Sequence, residues 1–315
     1  MALVSVIIPT YNRANFLGGA IKSVLDQSFK NLEIIVVDDC SSDNNRALIE
    51  TLGRAEIRYL RHARQLGGAA ARNTGIHHSR GEYVAFLDDD DEWYPEKLSR
   101  QMHALLSSPP DVGGIYTGYF IVNRSDGQIR GQIVPTEHGE LYEVLLGGNC
   151  IGSASSMLLR RSCFDAVGIF DERLRSFQDY DLWLRIARKY RFDCIRQPLL
   201  KYFVHGDQIG SNSQALTQGL ELMLKKYGDV AAFRKKCGAY YLDLGVQYCE
   251  ADRFDAGRRA LVRAARLNPR AAEPYIYLIL AMLGRAGFRR ARQARARFMP
   301  RGHSRELQAG MIANA

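Results

Sequence analysis

The sequence has few cysteines, and none of them stands in a CxxC pair. Cys40, Cys150, Cys163, Cys194, Cys237 and Cys249 are the six in a chain of 315 residues. So widely spaced, they argue against a disulfide framework or a thiolate zinc site and read as reduced core thiols of a cytosolic protein. Long apolar runs are lacking as well. A spanning helix needs roughly 18 apolar residues, and the longest candidate, Ile276 to Leu283, falls far short. No basic stretch precedes the apolar part of MALVSVIIPT, so the expectation there is a strand rather than a signal peptide. A glycine-rich phosphate loop is missing too: PTYNRANFLG stands where a dinucleotide-dependent dehydrogenase needs G-x-G-x-x-G. A sugar-nucleotide pyrophosphorylase is set aside on the same stretch. Acid is absent between Glu273 and Glu306, which hold between them Arg285, Arg289, Arg290, Arg292, Arg295, Arg297, Arg301 and Arg305. The net charge of +9 is therefore largely a C-terminal property.

What is present is a regular alternation. VSVIIPT (4–10) is a continuous β-branched run, as a buried parallel strand should be. Leu17, Ile21, Val24 and Leu25 follow at helical spacing. LEIIVVDD (32–39) and IRYLRH (57–62) read as strands, LGGAAARNTGIHHS (66–79) as a helix of small residues, and EYVAFLDDDD as a fourth strand before Pro95. Such alternation predicts an α/β fold with a doubly wound, mostly parallel sheet, whose ligands bind beyond the carboxyl ends of the strands. After residue 110 the pattern is mixed: strands in VGGIYTGYFIVN, GQIRGQIV, SASSMLLRR and 192–206, and an amphipathic helix in YDLWLRIARKY. The last eighty or so residues are helical in pattern. Tyr241, Leu244, Gly245, Tyr248, Gly257, Leu261, Ala264 and Pro269 fit a tetratricopeptide unit. A second unit from Ala271 fits less well, so this region is expected to pack on the main domain or on another chain.

The chemistry gathers at the expected strand ends. FLDDDDEW sets four like charges in a row after a buried-looking strand, and a run of this kind calls for a counter-cation. Hard oxygen ligands facing a phosphate suit Mg²⁺ or Mn²⁺; the plain alternative is a solvated acidic turn. Strand alternation would put Asp88 and Asp90 on one side and Asp89 and Asp91 on the other. Asp38 and Asp39 could accept hydrogen bonds from a ribose or base, or cap the following helix with Ser41 and Ser42. In SFQDYDLWLR, Asp181 suits the helix N-terminus, and Asp179 could face a pocket as a general base or share the capping. His205, near a strand end, is either a metal ligand or a structural imidazole.

Taken together, VSVIIPTYNR, VVDDCSSDN, ARNTGI, FLDDDDEW, SFQDYDLWLR and YFVHGDQIGSNS resemble the family 2 glycosyltransferases of GT-A fold, over roughly residues 3 to 215. The resemblance implies that Pro9, Thr10 and Tyr11 line the base pocket, with Asp39 bonding the base and Arg72 lying along the nucleotide. It places the family's D-x-D motif on Asp88 and Asp90, with Asp90 the direct metal ligand and Asp88 or Asp89 its ribose- or water-linked neighbour. Asp179 matches the catalytic base, although Gln178 stands where the family commonly has Glu. The implied reaction is inverting, Mn²⁺- or Mg²⁺-dependent transfer from a nucleotide-sugar donor, UDP-linked, to a glycan or lipid-linked acceptor in cell-surface polysaccharide synthesis.

The organisation that follows is a transferase domain over 1–215 (nucleotide half 1–110, acceptor half 111–215) and a helical, tetratricopeptide-like region over 216–315. Localisation is expected in the cytoplasm, with peripheral contact to an anionic membrane through the basic C-terminus. Nucleic acid is not expected, since no aromatic residues interleave with the basic run. A protein partner or self-association would use the helical region. The rival is a degenerate transferase serving as a scaffold, against which the intact Asp90 and Asp179 stand.

Overall fold

The computed structural model describes residues 3–205, 213–285 and 288. The chain divides into two compact units. One holds the described residues of 3–145 and 149–205; the other holds 146–148 and the described residues from 213 onward.

The first unit begins with β1 (Val4–Thr10), α1 (Ala14–Leu25), β2 (Leu32–Asp38), α2 (Asn45–Leu52), β3 (Ile57–Arg61), α3 (Gly68–His78) and β4 (Tyr83–Phe86). It continues through β5 (Glu92–Trp93), α4 (Lys97–Ser107), β6 (Val112–Asn123), β7 (Ile129–Ile133) and α5 (Tyr142–Gly147), of which residues 142–145 belong to this unit. A short 3₁₀ turn (Ala154–Ser156) leads into β8 (Met157–Arg160), α6 (Ser162–Val167), α7 (Gln178–Ala187) and β9 (Arg191–Val204). The nine-stranded sheet runs β3-β2-β1-β4-β8-β6-β9-β5, with β7 paired to β6. Its first four strands are parallel, β8 enters antiparallel to both neighbours, and β9 lies parallel to β6. The sheet is therefore mixed, with the expected doubly wound part at one side.

Burial explains that parallel part. Val4, Val6, Ile7 and Ile8 of β1 and Ile34 to Val37 of β2 are fully buried, as strands covered on both faces must be. α3 lies against β1 because it is made of small residues. A Cβ added at Gly75 would stand 2.3 Å from Ile7 Cγ2, closer than any real contact. The register sets the site. Thr10 pairs level with Asp38, whereas β4 stops at Phe86, level with Ile7. The chain after Phe86 therefore turns in beside the last residues of β1.

In the second unit, α8 (Ser213–Tyr227), α9 (Ala231–Glu250), α10 (Phe254–Leu267) and α11 (Glu273–Met282) follow one another. α9 and α10 cross where side chains are missing. A Cβ at Gly245 would lie 2.7 Å from Leu261 Cγ, and one at Gly257 would lie 2.4 Å from Cys249 Sγ. Tyr241 donates to Glu221 on α8 at 2.6 Å, and Arg263 pairs with the same carboxylate at 2.9 Å. Among the described residues no helix is long and apolar enough to cross a membrane. The basic run from Arg289 onward, on which the membrane expectation rests, lies outside the described residues.

Candidate active site

Three chain segments meet beyond the ends of β1, β2 and β4, and each passes through the left-handed region at a residue that is not glycine. Asn12 has φ 52, Cys40 has φ 71, and Phe177, just before α7, has φ 63. Such backbone is costly and is kept where the surroundings hold it in place. Asn12 shows how: its N–H donates to Ser41 Oγ at 2.8 Å and its Oδ1 accepts from the Ser42 N–H at 2.7 Å. The loop after β1 is thereby fixed to the loop after β2. Pro9 is half-buried, Thr10 is buried and Tyr11 is exposed beside them.

Asp38 and Asp39 are buried and served by backbone and side-chain donors. Asp38 accepts from the Ser41 N–H at 2.6 Å, the Tyr59 hydroxyl at 2.5 Å and Asn45 Nδ2 at 3.4 Å. Asp39 accepts the N–H groups of Leu66 and Gly67 at 2.8 and 2.7 Å, and His62 Nδ1 lies 2.7 Å from it. Gly67 itself has φ 99 and is the residue just before α3. Asp39 thus ties the entry of the α3 helix to the end of β2.

The four aspartates do not continue a strand. β4 ends at Phe86, Leu87 N–H still reaches Ile7 O at 3.0 Å, and residues 88–91 close a turn in which Asp91 N–H donates to Asp88 O at 3.0 Å. Strand alternation therefore does not sort them, because β1 and β8 offer no partner residues beyond this point. Their counter-charge is supplied by the chain itself, which corrects the expectation that a bound cation alone makes the run tolerable. Arg13 Nη1 is 3.1 Å from Asp89 and 2.8 Å from Asp90, and His205 Nε2 is 2.8 Å from the same Asp90 oxygen. Arg72 Nη2 pairs with Asp88 at 2.5 Å and its Nη1 donates to Gln178 Oε1 at 2.8 Å. Asp91 accepts from the Phe203 N–H at 3.3 Å.

The electrostatics split the run. Burial works against ionisation of Asp90, yet His205 and Arg13 outweigh it and hold its carboxyl below the usual range. Burial and the neighbouring Asp90 charge push Asp89 the other way, against Arg13. Asp91 is raised well above the usual range by burial, with Asp90 and Asp88 adding to it. Beneath the turn, the Trp93 indole donates to Ser155 O at 2.8 Å, Ser155 Oγ accepts the Asp88 N–H at 3.0 Å, and Ser153 Oγ lies 3.4 Å from Asp88. Lys97 is fully buried 4.0 Å over the Trp93 ring, and burial lowers its pKa well below that of an ordinary lysine.

Asp179 lies in the first turn of α7, half-buried, with burial pushing its carboxyl up to about 6 against the pull of Arg72. Gln178, in the position of the missing Glu, bonds Arg72 and so joins this helix to Asp88. Asp181 is fully buried and paired with Arg185 at 2.9 Å, while Arg185 also donates to the carbonyls of Val167 and Ile169. It locks a loop and points away from any solvent-facing role. Arg13, Ser153, Ser155 and Gln178 were not singled out as site residues in the sequence. Arg13 had a readable signal, a cation within PTYNR at the end of the first strand; the serines had none.

The fold agrees with known proteins. The profile of "Glycosyl transferase family 2" matches residues 5–168. The UDP-Glc:alpha-D-GlcNAc-diphosphoundecaprenol beta-1,3-glucosyltransferase WfgD of Escherichia coli is 32% identical over 212 residues, covering 67% of this chain and 80% of that protein. The chain spans about a third of the length of the first curated relatives it matches. Among solved structures, S. aureus TarS 1-349 in complex with UDP-GlcNAc aligns with a TM-score of 0.61 at 17% identity, over 92% of each chain. The mannosyltransferase PcManGT from Pyrobaculum calidifontis, in complex with GDP-Man and Mn2+, aligns at 0.60 and 20% identity, over 99% of this chain and 85% of that one. At such identities these two establish the GT-A fold alone. With the profile match over half of the sequence and curated relatives above 30% identity, the chain belongs to glycosyl transferase family 2.

Proposed function

We propose that this chain moves a sugar, with inversion, from a UDP-linked donor to a hydroxyl of a glycan or lipid-linked acceptor in cell-surface polysaccharide synthesis. The observation that carries the reading is Asp179. Its carboxyl is tuned to about 6, beside the Arg72 bridge that ties α7 to Asp88. A base tuned near neutral pH suits proton removal from an alcohol. WfgD, by its name, takes UDP-Glc and a diphosphoundecaprenol acceptor, and TarS was solved with UDP-GlcNAc; both support the choice of donor.

The residues present fit a divalent cation such as Mn²⁺ or Mg²⁺. Asp90 offers a hard carboxylate oxygen that is held ionised, and His205 a ring nitrogen beside it. Among the described residues no three His, Cys, Asp or Glu side chains converge, so the remaining ligands would be phosphate and water. Bound there, the cation supplies positive charge for the departing nucleoside diphosphate. Pro9, Thr10 and Tyr11 line the base pocket, Asp39 bonds the base, Asp38 and Arg72 lie along the nucleotide, and Asp88 or Asp89 meets the ribose or a bridging water. Asp179 takes the hydroxyl proton of the acceptor, whose oxygen bonds the anomeric carbon as the opposite bond to phosphate breaks. One displacement inverts the centre. We assign 1–215 to this transferase domain and 216–315 to a helical region.

The test is release of UDP from UDP-sugars with Mn²⁺. Asp179→Asn should lose about 10²- to 10⁴-fold in turnover, as expected for removal of a general base. Full turnover in the variant would sink the assignment of Asp179, and no release with any donor would leave the scaffold reading in its place.

A further inference from the structure

Arg124 follows β6 directly, and its N–H donates to Val204 O at 3.1 Å, joining the ends of β6 and β9. Its guanidinium carbon lies 4.4 Å from the centre of the Phe16 ring and 4.2 Å from that of Phe203. Two aromatic rings hold the charged group in place, yet neither supplies an acceptor. Among the described residues the guanidinium makes no hydrogen bond and no ion pair, and its side chain is half-buried. Five N–H donors on a preset cation are an unusual thing to leave without an oxygen.

The location gives the ligand. The Phe16 ring is 5.2 Å from the His205 imidazole, which bonds Asp90, and Phe203 N–H bonds Asp91. The cation therefore stands one aromatic side chain away from the aspartate turn. Arg13 and Arg72 are spent on aspartates; Arg124 is not. A guanidinium recognises phosphate through paired N–H···O bonds in its own plane. We propose that Arg124 is a phosphate-recognition point at the edge of the site, taking an oxyanion of one of the two substrates. The source of that phosphate, the donor diphosphate or a phosphate-bearing acceptor, rests on the transferase reading above.

Binding of inorganic pyrophosphate and of UDP, each with Mn²⁺, should be measured on the full chain by calorimetry for wild type, Arg124→Ala and Arg124→Met. The Met variant keeps an apolar stem over both rings and so separates packing from recognition. Pyrophosphate binding is expected to weaken tenfold or more in both variants, with an unchanged thermal transition in Arg124→Met. If UDP weakens alike, Arg124 holds the donor diphosphate. If UDP is unaffected but pyrophosphate added to UDP-saturated protein binds more weakly, it holds the acceptor's phosphate. Wild-type affinity for both probes in Arg124→Met, or no pyrophosphate binding by wild type, overturns the proposal. Failure of wild type to bind UDP at all would instead count against the transferase reading itself.

Discussion

The two aspartate clusters at the strand ends, Asp38-Asp39 and Asp88 to Asp91, are alike in sequence and opposite in how they are satisfied. The first pair accepts from backbone N–H groups, a tyrosine hydroxyl, an asparagine and a histidine, each bond closing a loop. The second run faces the guanidinium groups of Arg13 and Arg72 and crowds its own carboxyls. Backbone N–H and hydroxyl donors at short range make a carboxylate a structural anchor. Cations and like charges keep it electrostatically poised, with one member ionised and its neighbours pushed toward the protonated form. Neutralising the first cluster should therefore cost stability besides nucleotide binding, and neutralising the second should cost function with little loss of stability.

The largest effect expected is at Asp90. Asp90→Asn should lower UDP release by about 10³-fold, the scale of losing several kcal/mol of charge stabilisation in the transition state. Its thermal midpoint should fall only slightly, since the pairs to Arg13 and His205 are lost while the crowding of Asp89 and Asp91 is relieved. Unfolding of that variant would erase the contrast between the clusters. Next is Asp39→Ala, which strands the N–H groups of Leu66 and Gly67 and should destabilise by about 2–3 kcal/mol in urea titration. A fully stable Asp39→Ala protein would show that the loop before α3 is held by something else.

How much of this was readable depends on how local the cause is. The parallel strands were legible because β-branched runs such as VSVIIPT and LEIIVVDD carry their burial in their own composition. Asp179 and Asp90 stood out through motif spacing. The end of β4 was not legible: it is decided by β1 and β8, whose pairing with it stops at Phe86 and Ala85. The bridge from Asp88 through Arg72 to Gln178 joins residues 16 and 106 positions apart, and no local pattern announces it. Arg124 belongs to the same class, since its two rings come from α1 and β9.

Arg13 sharpens the comparison from the cation side. It shares the same Asp90 oxygen with His205, so a metal ion binding there competes with a guanidinium. Arg13→Ala should tighten Mn²⁺ binding by about fivefold, as expected if one partly exposed charge pair worth roughly 1 kcal/mol is removed from competition. Titration of Mn²⁺ by electron paramagnetic resonance reads this without turnover. Weaker binding would mean that Arg13 shapes the carboxylates rather than competing for them.

The smallest effect is in the pH dependence of stability, and Asp179 supplies it. Its folded carboxyl titrates at about 6, above the roughly 3.9 of an unfolded aspartate. The folded state thus keeps a proton that the unfolded chain releases, and a raised pKa makes stability fall as pH rises through this window. The contribution is fully present below about pH 4 and lost by about pH 6. For a half-buried side chain the change across the window should be about 1 kcal/mol after solvent screening. Asp179→Asn should remove that slope, becoming more stable than wild type above pH 6 while losing turnover. Wild-type activity should rise through the same pH as the carboxylate forms, so one group would set the acid limb of rate and the alkaline loss of stability. Parallel urea titrations at pH 4.5 and 7.5 decide it: equal differences between variant and wild type at both values would show that burial does not hold this proton.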